Sequence, residues 1–335
     1  MNIDQKIQAL EKLGDLLNDV SRRDDPLFKK IYENNPWFTE HFVKEAIAGL
    51  QVLLDQNNLR KWISNYPINS KHIKNIGIIM AGNIPAVGFH DLLTVILSGN
   101  RAIIKLSHND DILIPTMSEL LISINPSFKY LINYTNSFDT IDAIIATGSD
   151  NTSRYFKHKF RGKPLIIRQN RSSCAILDGK ETNSDLDLLG QDIFTYFGLG
   201  CRNVSKIYLP KDFDLQIFTS AFGSYQWIKS MDKYRNNYIY QKALHSLTNK
   251  YYIDGGFFLL TPSLQLVSPI ATVYYEFYTD LKSLKKMTEI HKNKIQCMVS
   301  KNGWFPNSID ISEAQKPFPW DYSDHIDTMK FLLEL

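Results

Sequence analysis

The run Ile76-Gly77-Ile78-Ile79-Met80-Ala81 is apolar on both faces that a strand can present. A strand with one wet face alternates apolar and polar residues; a continuous apolar run needs cover on both sides, which parallel sheets receive from crossover helices. The same signature recurs at Ala102-Ile103-Ile104-Lys105-Leu106, Tyr130-Leu131-Ile132, Ala143-Ile144-Ile145-Ala146 and Leu165-Ile166-Ile167. Amphipathic stretches fill the gaps, one running to about Leu97, one from Ile112 to Ile122, and one opening at Thr147 and reaching about Phe156. The alternation continues in the second half. Strands are expected at 174–177, 204–209, 257–260, 271–277 and 295–299, and helices at 184–197, 215–230, 233–245 and 280–291. This order predicts an α/β fold with two parallel-sheet domains. A leader precedes it, with Ile3, Ile7, Leu10, Leu13, Leu17 and Val20 at helical spacing, breaks at Asp25-Pro26 and Asn35-Pro36, and a resumed pattern from Trp37 to Trp62. The expected organisation is residues 1–172 as leader and first domain, 173–300 as second domain, and 301–335 as a tail rich in Pro, Trp and Phe that returns over the fold.

Composition excludes several classes. Of the 335 residues, 44% are apolar and 22% charged, as in ordinary globular proteins. A net charge of +3 is too small for a nucleic-acid footprint. No apolar run reaches the roughly 18 residues of a membrane helix. The start, Met-Asn-Ile-Asp-Gln-Lys, lacks the basic and apolar regions of a signal peptide. The cysteines Cys174, Cys201 and Cys297 are too few for a disulfide framework and fit a reducing, cytoplasmic setting. No histidines and cysteines stand at metal-ligand spacing, so no metal site is expected.

Candidate chemistry begins at Phe197-Gly198-Leu199-Gly200-Cys201-Arg202-Asn203. Two glycines allow a sharp turn and close approach to a ligand. A thiol on that turn is presented rather than packed away, and Arg202 and Lys206 offer the positive charge that favours a thiolate. The competing reading is a structural cysteine at a strand start. Asn83, in Gly82-Asn83-Ile84-Pro85, follows a strand at the end where open parallel sheets bind ligands. Its amide can donate to an oxyanion or can complete the turn before Pro85. Lys105 ends a strand, as a ribose or phosphate contact or as a solvated end. Thr147-Gly148-Ser149 opens a helix, as a phosphate site or an ordinary cap. His90-Asp91 reads either as the base of a Cys-His hydrolase or as a helix-surface pair. The aromatics 251–252, 257–258, 274–275 and 277–278 read as core or as the wall of an acyl tunnel.

Taken in order, these motifs resemble the aldehyde dehydrogenase superfamily, with its Asn-Phe-Pro loop, Lys-Pro-Ser strand end, Phe-Thr-Gly-Ser helix start and Gly-Gln-x-Cys nucleophile. The run AGNIPAVGFHDLLTVILSGNRAIIKLS, from Ala81 to Ser107, and the tail pieces Gln315-Lys316-Pro317 and Trp320-Asp321-Tyr322-Ser323-Asp324, resemble its acyl-CoA reductase branch, which includes the fatty-acid reductase of bacterial luminescence. The resemblance implies an aldehyde dehydrogenase-like fold and reduction of an acyl-CoA thioester to an aldehyde with NADPH or NADH. Coenzyme A leaves as a product moiety, and the family commonly forms homodimers. It implies Cys201 as nucleophile and Asn83 as oxyanion donor. It also implies Lys105, Gly148 and Ser149 as cofactor contacts, and Gln265, in place of a family Glu, at the nicotinamide ribose. Arg101, Lys105 and His108 near the expected ribose favour NADPH.

The resembling proteins that hydrolyse their acyl-enzyme carry a base in a Leu-Glu-Leu-Gly-Gly stretch. Here the corresponding residues read Ile167-Arg168-Gln169-Asn170-Arg171. Without a base to activate water, a thioester intermediate is spared for exchange with coenzyme A. The alternatives are the oxidative, acylating direction of the same reaction, and a non-catalytic acyl- or cofactor-binding protein on a decayed fold.

Overall fold

A computed structural model describes residues 1–68, 72–148 and 150–335. The chain divides into two compact units, one formed by Met1–Asn170 with Lys316–Leu335, the other by Arg171–Gln315.

The first unit opens with four helices, α1 (Ile3–Ser21), α2 (Pro26–Asn34), α3 (Glu40–Leu54) and α4 (Gln56–Ile63). Asn2 and Gln5 form a capping box on α1, which lays Ile7, Leu10, Leu13 and Leu17 into the core. The Asp25-Pro26 break is a helix start, with Asp25 as cap and Pro26 in the first turn, where its missing N–H costs nothing. The stretch Trp37–Trp62 is two helices because Asp55 ends α3 and caps α4.

Five strands follow, β1 (Asn75–Ile79), β2 (Arg101–Lys105), β3 (Ile132–Tyr134), β4 (Ala143–Thr147) and β5 (Leu165–Arg168), in the all-parallel order β3-β2-β1-β4-β5. Helices α5 (Phe89–Leu97), α6 (Leu113–Ile124) and α7 (Asp150–Lys159) connect them. Sequence order reverses between β1 and β4, and that point on the carboxyl edge is where open α/β sheets take ligands.

The second unit holds β6 (Ser172–Ile176), α8 (Asn183–Phe194), β7 (Val204–Pro210), α9 (Ile217–Ala221), α10 (Asp232–Leu247), β8 (Ile253–Asp254), β9 (Leu259–Pro262), β10 (Thr272–Tyr278), α11 (Leu281–His291) and β11 (Ile295–Val299). Its strand order is β11-β6-β7-β10-β9-β8, parallel except for the antiparallel β8–β9 pair at one edge. The helix expected over 215–230 is a short α-helix followed by a 3₁₀ segment, Gly223–Ser230. This unit runs past residue 300 to Gln315, because the buried Asp192 carboxylate on α8 accepts from the Ser312 and Ala314 N–H groups at 2.7 and 3.2 Å. The last stretch returns to the first unit and ends in α12 (Thr328–Leu333).

Candidate active site

In the second unit, α8 stops at Phe194, three residues short of the helix expected to reach Phe197. Tyr196 (φ 53°), Phe197 (φ 58°) and Gly198 (φ 75°) then adopt left-handed backbone in succession. Glycine takes this conformation freely, whereas the two aromatics do so only when their surroundings impose it. Both rings are buried, and Phe197 packs 5.7 Å from Tyr234.

Asn203, 1% exposed, imposes much of it. Its amide nitrogen donates to the carbonyls of Asp192, Ile193 and Thr195 at 3.1, 3.3 and 2.8 Å. These are the carbonyls a helix end leaves unpaired. Its Oδ1 accepts from the Gly200 N–H at 2.8 Å, and its own N–H donates to the Gly200 carbonyl at 3.1 Å. The partly exposed Cys201 thus sits in a turn stapled on both sides, at the amino end of β7. Sequence reading passed over Asn203. The signal was an asparagine ending a Gly-containing turn before a strand.

The cysteines differ in environment, and none is disulfide-bonded. Burial in β6 pushes the Cys174 thiol far up. Cys297 is pushed to about 11, mainly by burial and against the opposing pull of Arg202. The Ser173 hydroxyl donates to the Cys201 carbonyl at 3.1 Å and stands 3.0 Å from the Cys297 sulfur, a contact that pulls Cys297 down and only partly offsets burial. Two of the three thiols are therefore neutral near pH 7. Lys206, expected to assist the thiolate, is fully buried, ion-paired with Glu276 and hydrogen-bonded to the Ser263 carbonyl at 3.0 Å. Strand alternation turns it away from that task. Arg202 donates to the Ala314 carbonyl at 3.5 Å.

Gln265 lies exposed on the crossover between β9 and β10 and lines a cavity of about 600 Å³ with Tyr240, Lys250 and Tyr251. Ser205 ties this crossover to β7 by donating to the Leu266 carbonyl at 2.7 Å.

In the first unit the structure brings Asn83, Lys105 and Gly148 to one carboxyl edge. Asn83 is exposed on the loop after β1, Lys105 is exposed at the end of β2, and Gly148 follows β4, its N–H donating to the Arg168 carbonyl at 3.2 Å. Ser149 lies outside the described residues. The loop after β1 packs hard on the loop after β2: a Cβ on Gly82 would meet Ser107 Oγ at 2.6 Å. This close backbone approach, an exposed lysine beside it and a helix start after β4 fit a nicotinamide dinucleotide, whose phosphates favour helix N-termini and bare backbone.

Where hydrolytic relatives carry a base, Arg168 is 5% exposed, ion-paired with Asp91 at 2.7 Å and donating to Thr328 Oγ1 at 2.8 Å. Asp91 is 4% exposed, so His90-Asp91 is not the helix-surface pair expected from sequence. Nor is it a hydrolase dyad, since His90 Nε2 meets the Pro319 carbonyl at 2.8 Å while Asp91 serves Arg168. No group of three or more His, Cys, Asp or Glu among the described residues could hold a metal, and no helix among them is long and apolar enough to cross a membrane.

Solved structures that share this fold include aldehyde dehydrogenases. Aldehyde dehydrogenase 21 from Physcomitrella patens, in complex with succinate, is 13% identical, with 90% of this chain and 73% of that one covered and a TM-score of 0.63. An indole-3-acetaldehyde dehydrogenase of P. syringae, in complex with NAD+ and IAA, is 10% identical, covering 92% and 74%, with a TM-score of 0.66. Aldehyde dehydrogenase C of Pseudomonas syringae, in complex with NAD+ and octanal, is 10% identical, covering 94% and 74%, with a TM-score of 0.64. At these identities they establish the fold. The sequence has no match among curated proteins. The model of the family described as acyl-CoA reductase (LuxC) matches residues 3–236, which include both the Asn83 loop and the Cys201 turn. The chain belongs to the acyl-CoA reductase (LuxC) family.

Proposed function

We propose that this acyl-CoA reductase turns an acyl-CoA thioester into an aldehyde through a covalent intermediate on Cys201. The observation that carries the proposal is the Cys201 turn: a partly exposed thiol on a strained, stapled loop, with both other thiols held neutral by burial. The Cys201 thiolate attacks the thioester carbonyl. The Asn83 amide and the Cys201 backbone N–H donate to the oxyanion, and the tetrahedral species collapses with loss of coenzyme A thiolate. Arg168, locked to Asp91, cannot act as a base, and the 165–171 segment has no carboxylate to activate water against the acyl-enzyme. Lys105, the Gly148 backbone, Ser149 and Gln265 are proposed to hold the cofactor. A reduced nicotinamide supplies the hydride that brings the acyl group to the aldehyde level. NADPH is proposed over NADH from Lys105 and His108 at and after the carboxyl end of β2; Arg101, expected beside them, opens β2 at the opposite edge.

Mixing the protein with acyl-CoA and no reductant should give a mass increase of one acyl group, mapping to Cys201. The Cys201→Ala variant should show neither adduct nor turnover. An unmodified wild-type chain, or aldehyde formed by the variant at wild-type rate, would overturn the proposal. Running the reaction from aldehyde, CoA and oxidised cofactor tests whether the same chemistry reverses.

A further inference from the structure

Asp110 is a buried carboxylate that the scheme above does not use. It is 4% exposed and stands between the loop after β1 and the loop after β2. Its Oδ2 accepts from the Ala86 N–H at 2.8 Å, and its buried Oδ1 has no hydrogen-bond partner among the described residues. Ala86 has φ 57°, a left-handed conformation that an alanine holds at a cost of about 1–2 kcal/mol. The Asp110 bond falls on that strained residue, on the loop that carries Asn83. The loop bearing Asp110 is itself held from two directions. Its own N–H donates to the Ser107 carbonyl at 3.0 Å. From α2, Asn34 donates to Asp111 Oδ1 at 2.9 Å, and Asn35, which ends the helix, donates to the Asn109 carbonyl at 3.1 Å. The helical leader, in which the sequence shows no chemistry, braces the loop that grips the Asn83 turn.

We propose that Asp110 is a positioning residue for the acylation step: its hydrogen bond to Ala86 fixes the 82–88 loop in the conformation that aims the Asn83 amide at the oxyanion. The proposal rests on the reading of Asn83 as oxyanion donor. A purely structural role makes a different prediction. The loss of a merely structural buried hydrogen bond lowers stability while leaving the rate of a folded enzyme unchanged.

Asp111 is the charged group that faces Asp110, and burial sets Asp110 near neutrality, at about 7. The ionised carboxylate is the stronger acceptor for the Ala86 N–H. Burial nonetheless outweighs that gain, so the carboxyl is held in its buried place more firmly below pH 7 than above it.

The test measures the rate of Cys201 adduct formation by quenched mass spectrometry on the full chain, with acyl-CoA and no reductant. The wild type, Asp110→Ala and Asp110→Asn are compared between pH 5.5 and 8.5, with folding checked by circular dichroism. Asp110→Ala should acylate at least about tenfold more slowly at unchanged KM for acyl-CoA, since small displacements of a catalytic donor are costly in rate. Asp110→Asn keeps a carbonyl oxygen for Ala86. It should recover most of the rate, and its rate relative to wild type should rise through pH 7, the ratio cancelling the titration of Cys201 common to both. Wild-type acylation kinetics in a folded Asp110→Ala would overturn the proposal. If Asp110→Ala does not fold, an Asp110→Asn to wild-type rate ratio that is constant from pH 5.5 to 8.5 overturns it, and a ratio that rises through pH 7 supports it. A wild type that forms no adduct overturns the Cys201 reading, and this proposal with it.

Discussion

Asn203 does for the Cys201 turn what a glycine C-cap does for an ordinary helix end, but with a side chain. One buried amide serves three carbonyls and one N–H. Asn203→Ala should destabilise the protein by about 2–4 kcal/mol, because each buried polar group left unpaired costs about 1–3 kcal/mol. It should also change the rate at which Cys201 reacts with a thiol reagent. Urea denaturation and thiol labelling check the two halves, and an unchanged labelling rate would show that the staple does not govern the turn. Asp110 carries a second prediction. Its folded-state value, about 7, lies above the ordinary 3.8 because burial disfavours the charge. Below pH 3.8 the group is protonated in both folded and unfolded chains and contributes nothing. As pH rises the unfolded chain ionises first, so stability falls progressively until about pH 7, by at most about 1.4 kcal/mol per unit of displacement. Asp110→Asn has no such penalty. Its stability relative to wild type should grow between pH 4 and 7 and then level off, whereas a gap constant with pH would refute the assignment. Cys201 could be picked out from its glycines. Asn203 and Asp110 were harder to find, because their partners are backbone atoms, which leave no pattern in the sequence.

Elements buried on both faces were easy to read. β1 and β4 are continuous apolar runs, and their order with the intervening helices predicts the parallel sheet. Boundaries failed where apolar residues continue through a break. Ile193, Phe194, Tyr196 and Phe197 keep helical periodicity, yet the helix stops at Phe194, because the Asn203 amide that holds its terminal carbonyls comes from beyond the turn. Asp25-Pro26 does separate two helices, as expected, and Asp25 also caps the second of them. The β5–α5 contact was invisible because its ion pair joins residues far apart in sequence. Arg168 on β5 and Asp91 on α5 are both almost fully buried. Replacing one partner strands the other charge, so Arg168→Met should cost about 3–5 kcal/mol, while the double variant with Asp91→Leu should recover most of the loss. Chemical denaturation of the three variants measures the coupling. Additive losses would mean that the pair is not the packing device described here.

At the scale of the molecule, the composition excludes a large nucleic-acid footprint, and the motif order points to the family. The tail's division between two units could not be read from its Pro, Trp and Phe content. Residues 301–315 stay with the second unit through backbone N–H groups on Asp192, and 316–335 close the core of the first. There Met329 and Leu332 are buried, Tyr322 accepts from Trp62 Nε1 at 2.8 Å, and Thr328 accepts from Arg168. Burying one large apolar side chain is worth about 1.5–3 kcal/mol, so Met329, Leu332 and Tyr322 together amount to about 4.5–9 kcal/mol. Whole domains are stable by only about 5–15 kcal/mol. A chain ending at Gln315 should therefore lose the folded first unit and its proposed cofactor site, although every proposed catalytic and cofactor-binding residue is still present. Limited proteolysis should cut throughout 1–170 and leave a resistant fragment near 171–315. A truncated chain with the full-length digestion pattern would show that α12 and Tyr322 cover the core without holding it closed.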